Sequence, residues 1–599
     1  MKAKFFKLPP GGGTLYADKR LHHIQTLGSN PHKKNENSYA IKLIIFSVLL
    51  VSMFSFFSGA GKKVSKLYSA PKSKEFLNFL NSLNNPIIPA NQGYTSLKTV
   101  PSSIDLSHTK GYVNDSVILD YPTRYNLREQ PGKLPPIRDQ GPTMSCQAFA
   151  TYTSMESCLR PDEVWDFYEM DIYLNHGFDY IWGGNLLMNI AYLARWSGPL
   201  EQPIDYSMNR QKGTTIKHIQ QVIFIPERDN PLNNETIKWF VMNHGGVYGE
   251  IHFSVDFHNY SNYSYYYTGE EPTNHGVVIV GWDDNYDKNN FLITPPGNGA
   301  FIGQNGWGAD WGDNGYYYIS YYDNAILPQA SYNNAEDVNN YDTIYQYDPL
   351  GYVSAVGSRK TYWGANVFTA VNNRPLVAAS FYVTGTEVEY ELYIYNNLHG
   401  SNPVEGDIIS ANSGIFEYPG YYTVKLDPAV PVNTGEQFSV VIKYHNSRYR
   451  FPVAIEQHIP GWSSAATANR GESFVSQNGI DWYDLIDMYP YSNVCIKAFS
   501  LGYPRAIVNL QVERQQNKGI ISFNIENIEN SPVERVMIYR KDNNGNYHAL
   551  YKVLRSEFQN NTYTLEDKYI LDVNGTYTYR LDVLTSSGLI YGRSEEVTI

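Results

Sequence analysis

A cysteine stands at the start of a predicted helix within residues 136–157, PIRDQGPTMSCQAFATYTSMES. The pattern predicts that this helix covers residues 145–159, with Cys146 in its first turn. A thiol placed there lies near unsatisfied backbone N–H groups and the positive end of the helix dipole, and both favour the thiolate. An ordinary thiol has a pKa of about 8.5, which a neighbouring imidazolium lowers further. Cys146 is therefore a candidate nucleophile that requires a base.

Two residues further along the chain could supply that base and orient it. His275 begins an apolar run, HGVVIVGW, that predicts a strand, and Asn305 follows in the Gly-rich stretch GQNGWGADWG. Each residue alone is a weak signal, because a buried cysteine is usually inert and an asparagine in a turn usually serves the backbone. If Cys146 and His275 come together in the fold, they could form a thiolate–imidazolium pair for nucleophilic catalysis.

This arrangement resembles the papain-like cysteine peptidases. The resemblance implies that Cys146 is the nucleophile, His275 the general base, and Asn305 the residue that orients the imidazole. Gln140, six residues before the cysteine, matches the family's oxyanion donor. The implied activity is hydrolysis of peptide bonds through an acyl-enzyme, by an endopeptidase that needs no cofactor and no metal.

The same resemblance assigns residues around the substrate cleft. Trp307 matches the tryptophan that shields the contact between histidine and asparagine from water. Gly183 and Gly184, in the sequence WGGN, match the glycine pair whose backbone binds an extended substrate. Met144 and Asn274 flank the catalytic cysteine and histidine and are assigned to the substrate cleft as well.

Three residues beside the cysteine depart from the family pattern. Thr143 and Met144 stand where the family usually has Cys-Gly, and Gln147 replaces an aromatic residue. Met144 predicts a narrowed, selective cleft. These departures favour one alternative, a catalytically inactive cell-surface adhesin or binding protein that retains the fold. A second alternative is an amide-bond-forming transferase that uses the same acyl-enzyme. Joint retention of the four catalytic residue types favours the peptidase.

Mixed helix and strand patterns predict an α+β domain over residues 116–325 to position these residues. Helices are predicted at 186–196 and 235–243, and strands at 275–282 and 316–321. Residues 61–115 are polar and rich in Pro, Asn and Ser, which predicts a linker or short leader with one helical pattern at 75–83. That segment is too short to match the long inhibitory prosegment common in the family.

After about residue 340 the helical period ends and short apolar runs recur between Gly-, Asn- and Pro-rich turns. Residues 340–501 resemble the lectin-like β-sandwich of an exported prokaryotic branch of the family, and residues 503–599 resemble a fibronectin type III-like β-sandwich. The clearest strand patterns of the lectin-like part are at 379–383, 390–395, 421–426, 438–444 and 494–499. These modules predict positioning on a substrate or a cell surface.

An uncharged apolar stretch near the N-terminus, residues 43–60, predicts export. Basic residues precede it, so residues 1–60 form a cytoplasmic basic segment followed by either a cleaved signal peptide or a membrane anchor. The predicted location of the rest is extracellular or on the cell surface. The membrane is a partner only if the segment stays uncleaved.

The composition of this chain of 599 residues limits the classes of partner that it could bind. A net charge of −12 argues against nucleic-acid binding, and three cysteines exclude a disulfide scaffold. The predicted partners are a polypeptide substrate and a possible cell-surface glycan or protein bound by the β modules. Tyr421, Tyr422 and Trp462 could stack on a sugar if they are exposed. No zinc, phosphate or dinucleotide motif is present.

Overall fold

A computed structural model gives the fold of this chain. The apolar stretch 43–60 lies outside the described residues. Over the part of the chain that is described, no helix has the length and apolar character needed to cross a membrane. The described residues are 67–83, 99–117, 119–201, 215–501, 506–516, 518–526, 528, 533–541, 547–567, 575–585 and 590–599.

The leader, residues 61–115, contributes a short strand and a helix. Strand β1 (Tyr68–Ser69) pairs with a strand of the following β domain, and helix α1 (Lys74–Leu83) confirms the helical pattern predicted at 75–83. Phe76 of α1 is fully buried, and its ring lies 5.1 Å from that of Trp462. The leader is therefore packed onto the body of the protein.

The α+β domain extends from β2 to β10. Its central helix, α2, is buried on all sides from Cys146 to Ser157, which explains why its sequence shows no amphipathic stripe. The predicted helices near 186 and 235 are confirmed. The helices of this domain are α2 (Cys146–Leu159), α3 (Glu169–Asn175), α4 (Leu186–Ala194) and α5 (Glu235–Asn243).

A mostly antiparallel sheet packs against α2. Its strands follow the order β3-β10-β4-β7-β8-β9-β6-β5, with β2 added beside β7. The strands predicted at 275–282 and 316–321 are confirmed as β7 and β9. The bounds are β2 (Arg124–Asn126), β3 (Lys217–Phe224), β4 (Val247–Ile251), β5 (His258–Asn259), β6 (Ser264–Tyr265), β7 (His275–Asp283), β8 (Ala300–Gln304), β9 (Tyr316–Ser320) and β10 (Leu327–Asp337).

The middle β domain, β11 to β23, continues the same sheet. Its strand β17 pairs with β3, so the order β11-β23-β14-β17 runs directly into the α+β domain. The strands are β11 (Thr343–Tyr345), β12 (Ser354–Gly357), β13 (Thr361–Thr369), β14 (Leu376–Val383), β15 (Val388–Asn396), β16 (Asp407–Phe416), β17 (Gly420–Val430), β18 (Gln437–His445), β19 (Val453–Gln457), β20 (Ser473–Ser476), β21 (Trp482–Asp484), β22 (Ser492–Val494) and β23 (Ile496–Ser500).

One predicted strand, at 494–499, is interrupted. The chain forms β22 and β23 on either side of Cys495, because β22 pairs with β19 whereas β23 pairs with β14. The backbone thus passes from one sheet to another at this residue. The other strands predicted in this domain lie within β14, β15, β17 and β18.

The C-terminal β domain consists of two antiparallel sheets, β24-β25-β28 and β27-β26-β29-β30, with β31 beside β29. Ile521, Phe523, Ile538 and Leu581 belong to the apolar core between them. Its similarity to a fibronectin type III module stays a prediction. The strands are β24 (Ile507–Gln515), β25 (Lys518–Glu526), β26 (Val533–Lys541), β27 (Tyr547–Leu554), β28 (Thr562–Asp567), β29 (Thr578–Thr585), β30 (Ile590–Arg593) and β31 (Val597–Thr598).

Candidate active site

Cys146 is the first residue of α2, as the sequence predicts, and is only 1% exposed. The turn immediately before α2 is stabilised by short side-chain contacts. The Thr143 hydroxyl donates to the Gln140 carbonyl at 2.6 Å and lies 2.6 Å from the Ser145 hydroxyl. The thiol therefore lies at the positive end of the helix dipole.

His275 and Asn305 meet because their strands are neighbours. His275 begins β7, whereas Asn305 follows the last residue of the antiparallel strand β8, so both lie at one edge of the sheet. His275 Nε2 and Asn305 Oδ1 are 2.8 Å apart. The backbone N–H of Gly306 also donates to Asn305 Oδ1, at 2.7 Å.

That second hydrogen bond fixes the protonation of the neutral imidazole. Asn305 Oδ1 accepts from Gly306, so the atom facing His275 is an oxygen, and Nε2 of the ring must be the donor. In a neutral ring the other nitrogen, Nδ1, then carries the lone pair. This nitrogen is buried and has no hydrogen-bond partner among the described residues.

Aromatic rings cover the histidine. Trp307 stacks on His275, with ring centroids 4.5 Å apart and planes inclined by 24°. Phe253 meets the Trp307 ring edge-on at 4.8 Å. Burial lowers the pKa of His275 to about 4, while the hydrogen bond with Asn305 acts in the opposite direction. With the cleft closed, the imidazole is therefore neutral at pH 7.

Helix α2 and strand β7 bring the cysteine and the histidine to the same place. A Cβ atom on Gly276, next to His275, would lie 3.2 Å from the backbone carbonyl of Cys146. Glycine at this position lets the two elements approach closely. The helix start and the strand start thus face each other across the cleft.

Gln140 lies beside this pair. Its backbone N–H donates to the Gly306 carbonyl at 2.8 Å, which ties the loop before α2 to the loop after β8. Its side-chain amide donates to the Thr143 carbonyl at 2.8 Å. An amide nitrogen carries two hydrogens, so this bond uses one of the two donors that Gln140 has.

Gly183 and Gly184 form the opposite wall of the cleft. Gly183 has a φ of +115°, a conformation that other residues rarely adopt. A Cβ on Gly184 would lie 2.7 Å from Gln147 Nε2. The fully buried Gln147 amide packs under Gly184, and its Oε1 is 4.0 Å from Cys146 Sγ. The sequence could not reveal this contact, because the two residues are far apart in the chain.

Asn274 is held by a pair of hydrogen bonds to one backbone residue. Its Oδ1 accepts from the Phe253 N–H at 2.7 Å, and its Nδ2 donates to the Phe253 carbonyl at 3.1 Å. Its own carbonyl is thereby directed into the cleft. Met144 is half-buried in the turn before α2. The narrowing of the cleft by Met144 stays a prediction.

The leader crosses this cleft, which the sequence did not suggest. The Thr99 N–H donates to the Asn274 carbonyl at 3.0 Å, and the Val100 N–H donates to the Gly184 carbonyl at 3.0 Å. Thr99 and Gly184 form a parallel bridge. Gly184 and Asn274 are residues that the family resemblance assigns to the substrate cleft, so the leader lies against the predicted substrate-binding residues.

The other two cysteines lie away from the cleft, and none of the three cysteines, all within the described residues, forms a disulfide. Cys158 Sγ lies 3.9 Å from Ser331 Oγ, and burial raises the pKa of its thiol to about 12. Cys495 is buried, and burial raises the pKa of its thiol well above the usual range. Neither thiol is in a state that favours reaction.

Three aromatic residues considered for sugar stacking are buried. Tyr421, Tyr422 and Trp462 are at most 3% exposed, and they pack within the protein core. A sugar cannot stack on them in this structure. Within the described ranges no group of three or more His, Cys, Asp or Glu side chains is arranged to hold a metal ion.

Comparison with known proteins finds a family match in each of two regions of the chain. Residues 183–335 match the family described as papain family cysteine protease, and residues 344–500 match the lectin like domain family. The first match includes His275 and Asn305, whereas Gln140 and Cys146 precede it.

Among curated proteins, cathepsin F of Drosophila melanogaster is 26% identical over 225 residues, covering 34% of each chain. A viral cathepsin of Lymantria dispar multicapsid nuclear polyhedrosis virus is 28% identical over 211 residues, covering 33% of this chain and 54% of the viral protein. The chain thus spans about a third to about half of the length of these two relatives.

Among solved structures, the cysteine protease and lectin-like domains of Cwp84, a surface layer associated protein of Clostridium difficile, superpose with a TM-score of 0.62 at 23% identity. That match covers 74% of this chain and 100% of the Cwp84 chain. A second Cwp84 structure, of a variant after propeptide cleavage, matches with a TM-score of 0.57 at 24% identity, over 63% of this chain and 99% of the other. At these identities the likeness shows the fold. The chain carries a papain-family cysteine peptidase domain followed by a lectin-like domain.

Proposed function

We propose that this chain is an exported cysteine endopeptidase in which Cys146, His275, Asn305 and Gln140 carry the reaction. The observation that supports it best is the hydrogen-bond arrangement around His275. Asn305 holds Nε2 as the donor, which leaves the lone pair on Nδ1 for a proton from a thiol. Gly276, the next residue, lies close to the backbone carbonyl of Cys146, so this lone pair belongs to an element that adjoins the thiol.

The reaction begins with proton transfer from the Cys146 thiol to His275 Nδ1. The resulting thiolate, stabilised by the start of α2, attacks the carbonyl carbon of the peptide bond. Asn305 remains neutral and keeps the imidazolium in the same orientation. Trp307, stacked on the ring, keeps water away from the contact between the histidine and the asparagine.

The carbonyl oxygen becomes negatively charged in the tetrahedral intermediate. Two donors are assigned to it: the Cys146 backbone N–H, which lies where the helix itself provides no acceptor, and the Gln140 side-chain amide. The bond from Gln140 to the Thr143 carbonyl positions that amide before the substrate arrives. Preorganised donors of this kind typically lower the barrier by several kcal/mol.

His275 then gives the proton to the leaving amine, and the peptide C–N bond breaks to leave a thioester on Cys146. Water attacks this acyl-enzyme, with His275 again accepting a proton. The carboxylic acid product leaves and the thiol is restored. The proton first taken from the thiol leaves with the amine, and the proton taken from water restores the thiol, so the cycle needs only water as a second reactant.

An extended polypeptide fits the backbone groups of the cleft. The Gly184 carbonyl and the Asn274 carbonyl accept hydrogen bonds from the leader in this structure. A substrate strand would use the same acceptors, so the leader has to leave before cleavage. Backbone recognition along a strand suits an endopeptidase.

The location and the β domains are proposals that rest on the comparisons. Cwp84, which shares the order of a cysteine protease and a lectin-like domain, is a surface layer associated protein. We assign this chain to the same kind of setting, outside the cell or at its surface. Its lectin-like and fibronectin type III-like domains then position it on a glycan or a protein. A sugar site would have to use residues other than Tyr421, Tyr422 and Trp462.

A cleavage assay tests this function. The full chain, before and after limited proteolysis of its leader, is incubated with a denatured protein and a peptide library, and the products are identified by mass spectrometry. Wild type and Cys158→Ala should cleave internal peptide bonds, whereas Cys146→Ala should not. Cys158 shares α2 with Cys146, so it provides a matched control.

Other outcomes would contradict the proposal. A folded wild type that cleaves nothing after its leader is removed would favour the inactive adhesin. Products joined to an added amine, with little free acid, would favour the transferase. Cleavage that persists in Cys146→Ala would exclude the acyl-enzyme on Cys146.

A further inference from the structure

A cavity of about 650 Å³ lies between the leader and the α+β domain. The leader covers it with residues such as Val100 and Pro101, and the α+β domain forms the other wall. It adjoins Asn185, the residue after Gly184, and Thr273, the residue before Asn274. The cavity is therefore next to the backbone groups that hold the leader, and it opens into the cleft when the leader leaves.

Glu250 forms part of that wall. It lies on β4, opposite Gly276 of β7, and is only 4% exposed. Its carboxyl group accepts from the Tyr248 hydroxyl at 3.0 Å and from the Thr273 hydroxyl at 2.8 Å. Burial raises the pKa of Glu250 to about 7, and these hydrogen bonds oppose the rise.

The leader places a donor against this carboxyl group. The Thr99 side chain faces Glu250, and Thr99 is only 6% exposed. Like that of Gln329, the Thr99 side chain interacts with the carboxyl group of Glu250 and opposes the rise of its pKa. A leader residue that lies against the predicted substrate-binding residues thus directs a polar group at Glu250.

All the charged side chains that the α+β domain contributes to the cavity lining are acidic. The charged residues that this domain contributes are Glu227, Glu250, Glu270 and Glu271. In the described part of the chain, no lysine or arginine forms an ion pair with Glu250. Glu227 is paired with Lys110, a leader residue that departs with the leader.

We infer that Glu250 is a specificity-determining residue that selects a lysine or arginine side chain in the substrate residue bound beside Gly184. This inference rests on the proposed peptidase function. A basic side chain would enter the opened cavity, donate to the Glu250 carboxylate and supply the cation that the wall lacks. Tyr248 and Thr273 hold the carboxylate in place for that contact.

Paired peptide substrates test the inference on the full chain after limited proteolysis of its leader. The peptides differ only in one residue, arginine against norleucine, placed in turn at each of the three positions before the cleaved bond. Wild type should prefer arginine at one position by roughly tenfold or more in kcat/KM. Glu250→Gln keeps the size and the hydroxyl contacts of the side chain, and it should abolish that preference.

Glu270→Gln serves as the matched control, because Glu270 is an exposed carboxylate on the same cavity wall. It should change the preference by less than about twofold. If Glu250→Gln and Glu270→Gln reduced the preference for arginine equally, the overall charge of the cavity, and not contact with Glu250, would determine the preference. That result would overturn the inference. Cleavage without any preference for arginine would overturn it too. Absence of all cleavage would instead contradict the proposed function.

A second test does not depend on activity. Thr99→Lys in the intact chain would place a cation against Glu250 and should raise Tm by roughly 1–2 °C, with no such gain in a Glu250→Gln background. The coupling between the two substitutions measures the contact directly. An equal change of Tm in both backgrounds would overturn the inference even if no substrate were cleaved.

Discussion

Two buried asparagines, one in each of the first two domains, are bonded in different ways. Asn366 of the middle β domain uses both ends of its amide: Nδ2 donates to the Val494 and Ile496 carbonyls, each at 2.9 Å, and Oδ1 accepts from Ser473 at 2.7 Å. Asn305 of the α+β domain uses only its oxygen, and its Nδ2 has no hydrogen-bond partner among the described residues.

The difference separates a structural network from a reactive one. A complete set of hydrogen bonds stabilises and rigidifies the fold, and nothing in it remains to take part in chemistry. Around His275 two buried atoms, Asn305 Nδ2 and His275 Nδ1, have no hydrogen-bond partner among the described residues, which costs stability, and the lone pair on Nδ1 can accept a proton. Polar side chains in the cleft should therefore affect activity more than stability, whereas those around Asn366 should do the reverse.

The largest expected effect in the cleft comes from Gln140→Ala. Loss of a donor to the oxyanion should lower kcat by roughly 10²- to 10³-fold, with KM changed by less than about threefold. Steady-state kinetics on a peptide substrate measure both constants. A decrease of kcat below about fivefold would remove Gln140 from the reaction and weaken the contrast between the two regions.

Replacing each of the two asparagines by alanine tests the comparison itself. Asn305→Ala should lower kcat by roughly 10- to 100-fold, with little change in KM or Tm, because the imidazole loses its orientation. Asn366→Ala removes the side-chain donor to two buried carbonyls, so it should lower the free energy of unfolding by about 2–4 kcal/mol and leave kcat unchanged. Urea unfolding and steady-state kinetics measure both quantities for both variants. If the two variants lost activity and stability to the same extent, the account would be contradicted.

The sequence predicted the local part of this site well. A helix over residues 145–159 and a strand over residues 275–282 follow from local patterns, and the structure confirms them as α2 (Cys146–Leu159) and β7 (His275–Asp283). The position of Asn305 beside His275 depends on the antiparallel pairing of β7 with β8, which was not predicted; only the family resemblance associated the two residues.

Contacts between distant residues were not predicted. Gln147 packs under Gly184, Thr99 faces Glu250, and β3 pairs with β17 across two domains. Local patterns carry no information on such pairings, because each depends on which elements become neighbours in the fold. Polar residues 61–115 indicated a linker, yet the buried aromatic ring of Phe76 anchors this leader.

A smaller effect is expected where the leader is anchored. Phe76→Ala removes a fully buried ring and should weaken docking of α1 by about 3 kcal/mol or more. The rate of alkylation of Cys146 by iodoacetamide should then rise by at least about fivefold. Leu77, which is 46% exposed on the same helix, is the matched control, and Leu77→Ala should not change the rate. Equal rates in the two variants would show that the leader does not protect the cleft.

The smallest effect is a dependence of stability on pH. Burial lowers the pKa of His275 to about 4, below the value of about 6.5 in the unfolded chain. Between these values the unfolded state binds a proton that the folded state does not, so this contribution to stability falls as the pH falls. The stability advantage of wild type over His275→Gln should therefore be smaller at pH 5 than at pH 7.

The direct partners of the Asn366 side chain are two backbone carbonyls and the Ser473 hydroxyl, none of which titrates between pH 5 and pH 7, so Asn366 provides the control for this measurement. Urea unfolding should show that Asn366→Ala costs the same free energy at pH 5 and pH 7. A constant difference between wild type and His275→Gln over this range would contradict the lowered pKa.

The central claim is that Cys146 is a nucleophile activated by His275. A peptide carrying a thiol-directed epoxide, added to the full chain after limited proteolysis of its leader, tests it directly, with the modified residue located by mass spectrometry. The account predicts modification of Cys146 alone, at a rate that falls by at least about 100-fold in His275→Ala. Modification of Cys158 or Cys495 at a similar rate, or a folded protein in which Cys146 stays unmodified, would contradict it.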